Sequence, residues 1–490
     1  MENILTPAEG IVFLTVYGAV MIAATLLVSH RRHQDTPEFL LAGRRVGVLF
    51  GAMSIAAAWI WAPALFVSSQ KAYEQGLPGA FWFIFPNLLA LLVFAPLGLR
   101  VRQVLPKGYT FPQYIRLRHG KGVHILYLIQ FVGLQLCSFA VQILAGATLI
   151  HTVSGLPFSF VAAFLILIVL TYSLLGGLRA SVTTDCIQMF LILLICAVSV
   201  PWVVSQAGGF SAVTAGFGGA SGNFSSLFDP WVAYSFGIST TIGLLSGPIG
   251  DQMHWQRAYA LKSDADVIKT FVLAAFLFVL VPLTLSTLGF VAAGKVNAAA
   301  EGWTIASAQM VGPTTVSYLL PSFMLIAFSV MILAGLCSTL DSILCAVSSI
   351  TVADLFGAGH TPQEVDRDVY PKQVLLARTS MLVAALVGFG IAMIPNLKIL
   401  HLFLFYGTLR ASTLIPTVLT LYWPRLQSKA VFYAVMGSLI FGAPILALGT
   451  YLGNPHLSVT GSLLVIAIGL GVCVGLSITI KPVEVTGNVS

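Results

Sequence analysis

The stretch Gly51-Ala-Met-Ser54-Ile-Ala-Ala57-Ala-Trp59-Ile60-Trp61-Ala-Pro63 reads as a membrane helix interrupted near its middle. Small residues crowd its first half, two tryptophans mark its centre and a proline follows. In hydrocarbon, a backbone group freed by such a break must find a partner inside the protein. A second stretch of this kind is Gly243-Leu-Leu-Ser246-Gly247-Pro248-Ile-Gly250-Asp251. Interrupted helices expose carbonyls and half-helix ends, which hold cations and polar solutes near the bilayer midplane.

The surrounding chain fits that reading. Charged residues are 8% of the 490, against about 25% in soluble domains. The apolar set makes up 58% and mean hydropathy is +0.94. So few charges cannot cover a soluble fold, so the partner of most of the surface is the lipid bilayer. The net charge of +7 comes from basic residues in loops, which is a topology signal and not a nucleic-acid footprint. None of the six cysteines forms a CxxC pair, so disulfides and zinc are not expected. The nine histidines show no metal-binding spacing, and no catalytic dyad is present, so no enzyme is expected. The first apolar run, 11–28, lacks a basic n-region and a cleavage site and reads as a retained span.

Apolar runs place thirteen spans at 8–29, 46–72, 79–101, 122–151, 157–176, 182–206, 231–255, 268–293, 317–356, 373–394, 398–423, 429–452 and 458–480. With the N-terminus outside, 20 of the 24 Lys and Arg fall on the cytoplasmic side, leaving Lys71, Lys295, Lys398 and Arg410. That bias sets orientation: N-terminus outside, C-terminus cytoplasmic, in a plasma (inner) membrane. The loop 357–372 is the longest charged one, and Asn223-Phe-Ser225 is a glycosylation sequon in an outside loop.

The acids Asp185, Asp251 and Asp341 lie within spans. Such residues are costly in lipid and are functional or paired. The interrupted spans, second and seventh, lie five apart. This fits an inverted repeat, 46–206 and 231–423, after an N-terminal segment 1–45 and before two final spans in 424–490. Span 9 carries Ala334-Gly-Leu-Cys-Ser338-Thr339-Leu-Asp341-Ser342. Its adjacent hydroxyls either bond back to a carbonyl one turn earlier or join the carbonyls of span 2 as oxygen ligands for a hard cation.

At the junction of spans 5 and 6 stands Tyr172-Ser-Leu-Leu-Gly176-Gly177-Leu-Arg179-Ala180-Ser-Val-Thr-Thr184-Asp185-Cys-Ile-Gln188. With Phe39-Leu-Leu-Ala-Gly43-Arg44 and the span 9 segment, it resembles the solute:sodium symporter family. The resemblance implies an all-α, LeuT-type inverted-repeat fold and sodium-driven uptake of a small molecule, for which a monomer suffices. Carried over, the main sodium site falls on the carbonyls of Ala57, Ile60 and Gly335 and the hydroxyls of Ser338 and Thr339. A second ion, or the release path, falls on Asp185, Asp341 and Ser342. The acid at Asp341 departs from the all-hydroxyl version of that second site. The alternative role for Asp185 is an ion pair with Arg179.

The same resemblance borders the solute cavity with Trp59, Trp61, Ser68, Gly243, Ser246 and Gly247. Gln135 and Gln142 share one face of span 4 and suit a neutral solute with donors and acceptors. Interhelical hydrogen bonds are their alternative role. Trp59-Ile-Trp61-Ala and Asp251-Gln252-Met-His-Trp255-Gln256-Arg257 look like the urea-transporting branch. By the family's pattern Asp251 lies on the exit path, with Arg257 as its alternative ion-pair partner. Urea or a similar neutral compound is the expected solute. Proton-coupled transport of an amino acid or small carboxylate, and a membrane ligand sensor on the same fold, are the competing readings.

Overall fold

The computed structural model describes residues 5–29, 35–224, 226–299, 303–356, 370–395 and 399–479. Arg31 and Arg32, Ser225 of the sequon, most of the loop 357–372, Lys398 and the tail from Lys481 lie outside them. The described residues form helices joined by turns and short loops, with one isolated bridge, Val46 to Leu261, as their only β-type pairing.

Ten of the described helices are long and apolar enough to cross a membrane. The helices used below are α1 (Pro7–Ser29), α2 (Val48–Trp59), α3 (Ala62–Val104), α4 (Phe111–His119), α5 (Lys121–Ser154), α6 (Phe158–Ala207), α7 (Ile238–Ile249), α8 (Gln252–Ala260), α9 (Asp264–Asn297), α10 (Ser322–Ile350) and α11 (Ile399–Tyr422). The difference from thirteen expected spans has local causes. The expected span 398–423, α11, is not among the ten, and two expected pairs of spans are joined into α3 and α6, each broken at one glycine, Gly76 (φ 60°) and Gly177 (φ 55°). The chain folds back at Gly76. A Cβ on Gly79 would sit 2.4 Å from the Lys71 carbonyl, whereas eight residues of unbroken helix advance about 12 Å.

Large apolar side chains face outward, and polar and charged groups are set within a mainly apolar interior. Leu27, Ile129, Leu167, Phe190 and Leu283 are exposed, while Ser54, Gln135, Asp185, Asp251, Arg257 and Asp341 are buried. That inversion suits a chain whose solvent is lipid. α3 and α9 pack closely enough that a Cβ on Gly289 would lie 2.1 Å from the Ser69 carbonyl.

Candidate functional site

Both expected interruptions are breaks in the helical path. α2 ends at Trp59, Ile60 (φ −82°, ψ 73°) and Trp61 (φ −92°, ψ 174°) leave helical geometry, and α3 begins at Ala62. The Ile60 N–H still bonds the Ala56 and Ala57 carbonyls. Gln142 Oε1 accepts from the Ala62 N–H at 2.9 Å and so caps the second half. Between α7 and α8 the break falls at Gly250 and Asp251. Asp251 caps α8, accepting from the Met253 N–H at 3.1 Å. The Trp255 indole donates to the Ile249 carbonyl at 2.8 Å, satisfying the end of α7.

The first break lies against α10. A Cβ on Gly335 would come 2.9 Å from the Ile60 carbonyl oxygen. Thr339 Oγ1 is 3.2 Å from the Ala58 carbonyl and 3.1 Å from the Gly335 carbonyl. The Ser338 hydroxyl turns to the other side and donates to Asp185 Oδ1 at 2.5 Å. Ile60, Gly335 and Thr339, three of the five residues named for the main ion site, therefore meet at one place, with the Ala57 carbonyl bonded to the Ile60 N–H, and Ser338 links that place to a further polar cluster.

That cluster is built on Arg257 of α8. Its guanidinium donates to Asp185 Oδ2 at 2.9 Å, Ser342 Oγ at 2.6 Å and Ser54 Oγ at 2.9 Å. Ser54 in turn donates to Asp185 Oδ2 at 2.5 Å. Asp341 takes Ser181 Oγ at 2.7 Å and the Tyr172 hydroxyl at 2.9 Å. One guanidinium thus serves two buried carboxylates, Asp185 directly and Asp341 at one remove. Neither ion pair weighed from sequence is formed: Arg179 pairs with Glu38, and Asp251 bonds Gln135 Nε2 at 2.7 Å. Sequence spacing favoured near neighbours, but α6, α8 and α10 converge in space.

Around the two breaks, several buried polar atoms have no hydrogen-bond partner among the described residues. They are Trp59 Nε1, Gln135 Oε1, Gln142 Nε2, Asp251 Oδ2, Arg410 Nε and Nη2, and both His254 ring nitrogens. Gln135 and Gln142 each make an interhelical bond with one amide atom and leave the other unpartnered. Arg410 of α11 lies over the rings of Tyr406 (3.8 Å), Trp61 (5.1 Å) and Trp59 (5.7 Å). Its Cα and Cγ also lie 3.4 Å from where a Gly250 Cβ would stand. Gly247 meets the Trp59 ring, and nothing stands within 4 Å of a Cβ on Gly243. Ser68 and Ser246 bond back to the Ala64 and Gly243 carbonyls, each at 2.9 Å. Asp251, Arg410, Tyr406 and His254 are absent from the solute residues named from sequence. For Asp251 the signal was an acid beside a break, which an ion-pair reading with Arg257 had absorbed.

A family model described as the Sodium:solute symporter family matches residues 39–438. The urea-proton symporter DUR3 of Oryza sativa subsp. japonica is 26% identical over 90% of this chain and 65% of its own length. The sodium/glucose cotransporter of Vibrio parahaemolyticus is 26% identical, over 88% of this chain and 84% of its own. The chain spans 58–65% of the length of the urea transporters of rice, fission yeast and baker's yeast that it matches. Among solved structures, a Na+-coupled sialic acid symporter in its substrate-bound outward-open state superposes with a TM-score of 0.77 at 17% identity, covering 96% of this chain and 98% of that one. MhsT in complex with L-phenylalanine superposes at 0.53 with 16% identity, over 84% of this chain and 99% of that one. These likenesses are to a LeuT-type fold.

Proposed function

The chain belongs to the sodium:solute symporter family, and on that premise we propose that it is a sodium-coupled secondary active symporter importing a small polar solute, urea or a similar neutral compound. The observation that carries this reading is the contact between the break at Ile60 and α10 at Gly335 and Thr339. On this reading the Ala57, Ile60 and Gly335 carbonyls and the Thr339 hydroxyl, joined by Ser338 once its hydroxyl leaves Asp185, supply an all-oxygen ligand set, which suits a hard cation. An ion held there ties α2 to α10, and its release frees them to separate. The gradient of the ion thereby drives solute entry by alternating access. The charge bias of the loops supports thirteen passes with the N-terminus outside, and the two breaks support the repeats 46–206 and 231–423. Relatives described as urea transporters favour urea over the other neutral solutes.

The test is uptake of radiolabelled urea into proteoliposomes holding the full chain, with external sodium or with choline in its place, at equal pH inside and out. Sodium-dependent accumulation is the expected result. Accumulation that persists in choline and follows an imposed proton gradient overturns sodium coupling. Sodium-dependent uptake of pantothenate or glucose, with none of urea, overturns the solute assignment.

A further inference from the structure

The polar atoms left over at the two breaks form a set of definite chemistry. The acceptors are Asp251 Oδ2 and Gln135 Oε1, held side by side because Gln135 Nε2 already donates to Asp251 Oδ1. The donors are Arg410 Nε and Nη2, Gln142 Nε2 and Trp59 Nε1. All five residues are buried. Buried groups of this kind are normally paired, so a set this large at one place marks where a ligand supplies the missing bonds.

The geometry points to a subsite, read by Asp251 and Arg410, for a neutral planar amide of the urea class. Its N–H edge lies on Asp251 Oδ2 and Gln135 Oε1, and its carbonyl oxygen faces the Arg410 guanidinium. This rests on the symporter reading above and names the two residues that select its solute. Three features set the class. A carboxylate and a guanidinium in one cluster cancel, so a neutral solute leaves the site balanced, whereas an anion leaves Asp251 opposed. Arg410 is already laid over three aromatic rings, Trp59, Trp61 and Tyr406, which confines its free N–H groups to the remaining edge. A flat solute presenting donors on one edge and an acceptor on the other meets both ends without leaving a buried group unpaired, and that is the condition for strong discrimination. Asp251 also caps α8 through Met253, so the subsite sits on the half-helix whose position the breaks govern.

The experiment uses the full chain in proteoliposomes with radiolabelled urea as the transported probe and acetamide, acetate and tetramethylurea as competitors. Asp251→Asn retains an acceptor for the α8 cap, and Arg410→Lys retains the charge. Both variants are checked for folding by their thermal unfolding in detergent. In the wild type, acetamide competes with urea for uptake, whereas acetate and tetramethylurea, which has no N–H, do not. Each variant is expected to raise the KM for urea about 10- to 100-fold, as for loss of a charge-assisted hydrogen bond, with sodium dependence unchanged. Asp251→Asn, leaving Arg410 uncompensated, is expected to let acetate compete where it did not before. If the wild type carries urea with sodium and both folded variants keep its KM, this subsite is overturned while the symporter reading stands. Competition by tetramethylurea equal to that of urea overturns it equally. If the wild type carries no urea under any gradient, the symporter's solute and the subsite fall together.

Discussion

Arg257 Nη2 donates to Asp185 Oδ2 at 2.9 Å, joining the half-helix after the second break to the middle of α6. Both side chains are almost wholly buried. The pair also reaches Ser54 of α2 and, through Asp185, Ser338 of α10. Four helices therefore share one ionic contact, and two hydrogen bonds connect Arg257 of α8 through Asp185 to Ser338 of the proposed ion site.

Removing one member of such a pair leaves a buried charge uncompensated, which costs about 3–5 kcal/mol. Arg257→Ala additionally removes the cation that reaches Asp341 through Ser342. The expected result is a large loss of stability in chemical unfolding of the purified protein. Asp185→Ala in the same chain should restore part of it, because the interaction energy of two touching residues is not additive. Equal and additive effects of the two substitutions would show that the contact contributes nothing.

The ion site makes a separate demand. Ser338→Ala with Thr339→Ala removes two oxygen donors from α10 while leaving the Gly335 and Ile60 carbonyls in place. The sodium concentration giving half-maximal urea uptake should rise at least tenfold, with the KM for urea at saturating sodium changed much less. Unchanged sodium dependence in the double variant would remove α10 from the ion site.

The fold-back at Gly76 is expected to be intolerant for two independent reasons. Its φ of 60° with ψ of −144° is a conformation that side chains resist, at a cost of about 1–3 kcal/mol. A Cβ there would also stand 2.1 Å from the Phe217 carbonyl and 2.7 Å from the Gly219 nitrogen, backbone atoms with nowhere to retreat. Gly76→Ala should therefore fall in yield and in melting temperature, whereas Gly122→Ala, where nothing stands within 4 Å, should not.

These cases show what sequence could carry. The helix breaks were legible because Gly, Pro and small residues cluster there in otherwise apolar runs, and broken helices have few other causes. The meeting of Ile60 with Gly335 was legible only through family resemblance, since no pattern within either segment refers to the other. Partner choice among buried charges was not legible at all. Arg179 lies six residues from Asp185 and Arg257 six from Asp251, but helices that cross in space bring Arg257 to Asp185 and Gln135 to Asp251. The back-bonds of Ser68 and Ser246 were hidden for a related reason: a hydroxyl that bonds back to its own helix leaves no trace in the sequence.

Trp59 offers the last test, because its place depends on a neighbour with no side chain. A Cβ on Gly247 would come within 2.4 Å of the Trp59 ring. The ring is fully buried, edge-on to His254 at 5.1 Å, and has little room to retreat. Gly247→Ala must move either the indole or α7, and either shift disturbs the wall that Trp59 presents to Arg410. The KM for urea is expected to rise severalfold, with sodium dependence close to the wild type, because the Ile60 carbonyl lies on the α10 side of the break. Gly243→Ala, one helical turn away with open space around it, serves as the comparison. It adds bulk to the same helix without touching the tryptophan. If both substitutions change urea uptake alike, the effect belongs to α7 as a whole, and the contact between Gly247 and Trp59 does not set the solute's environment.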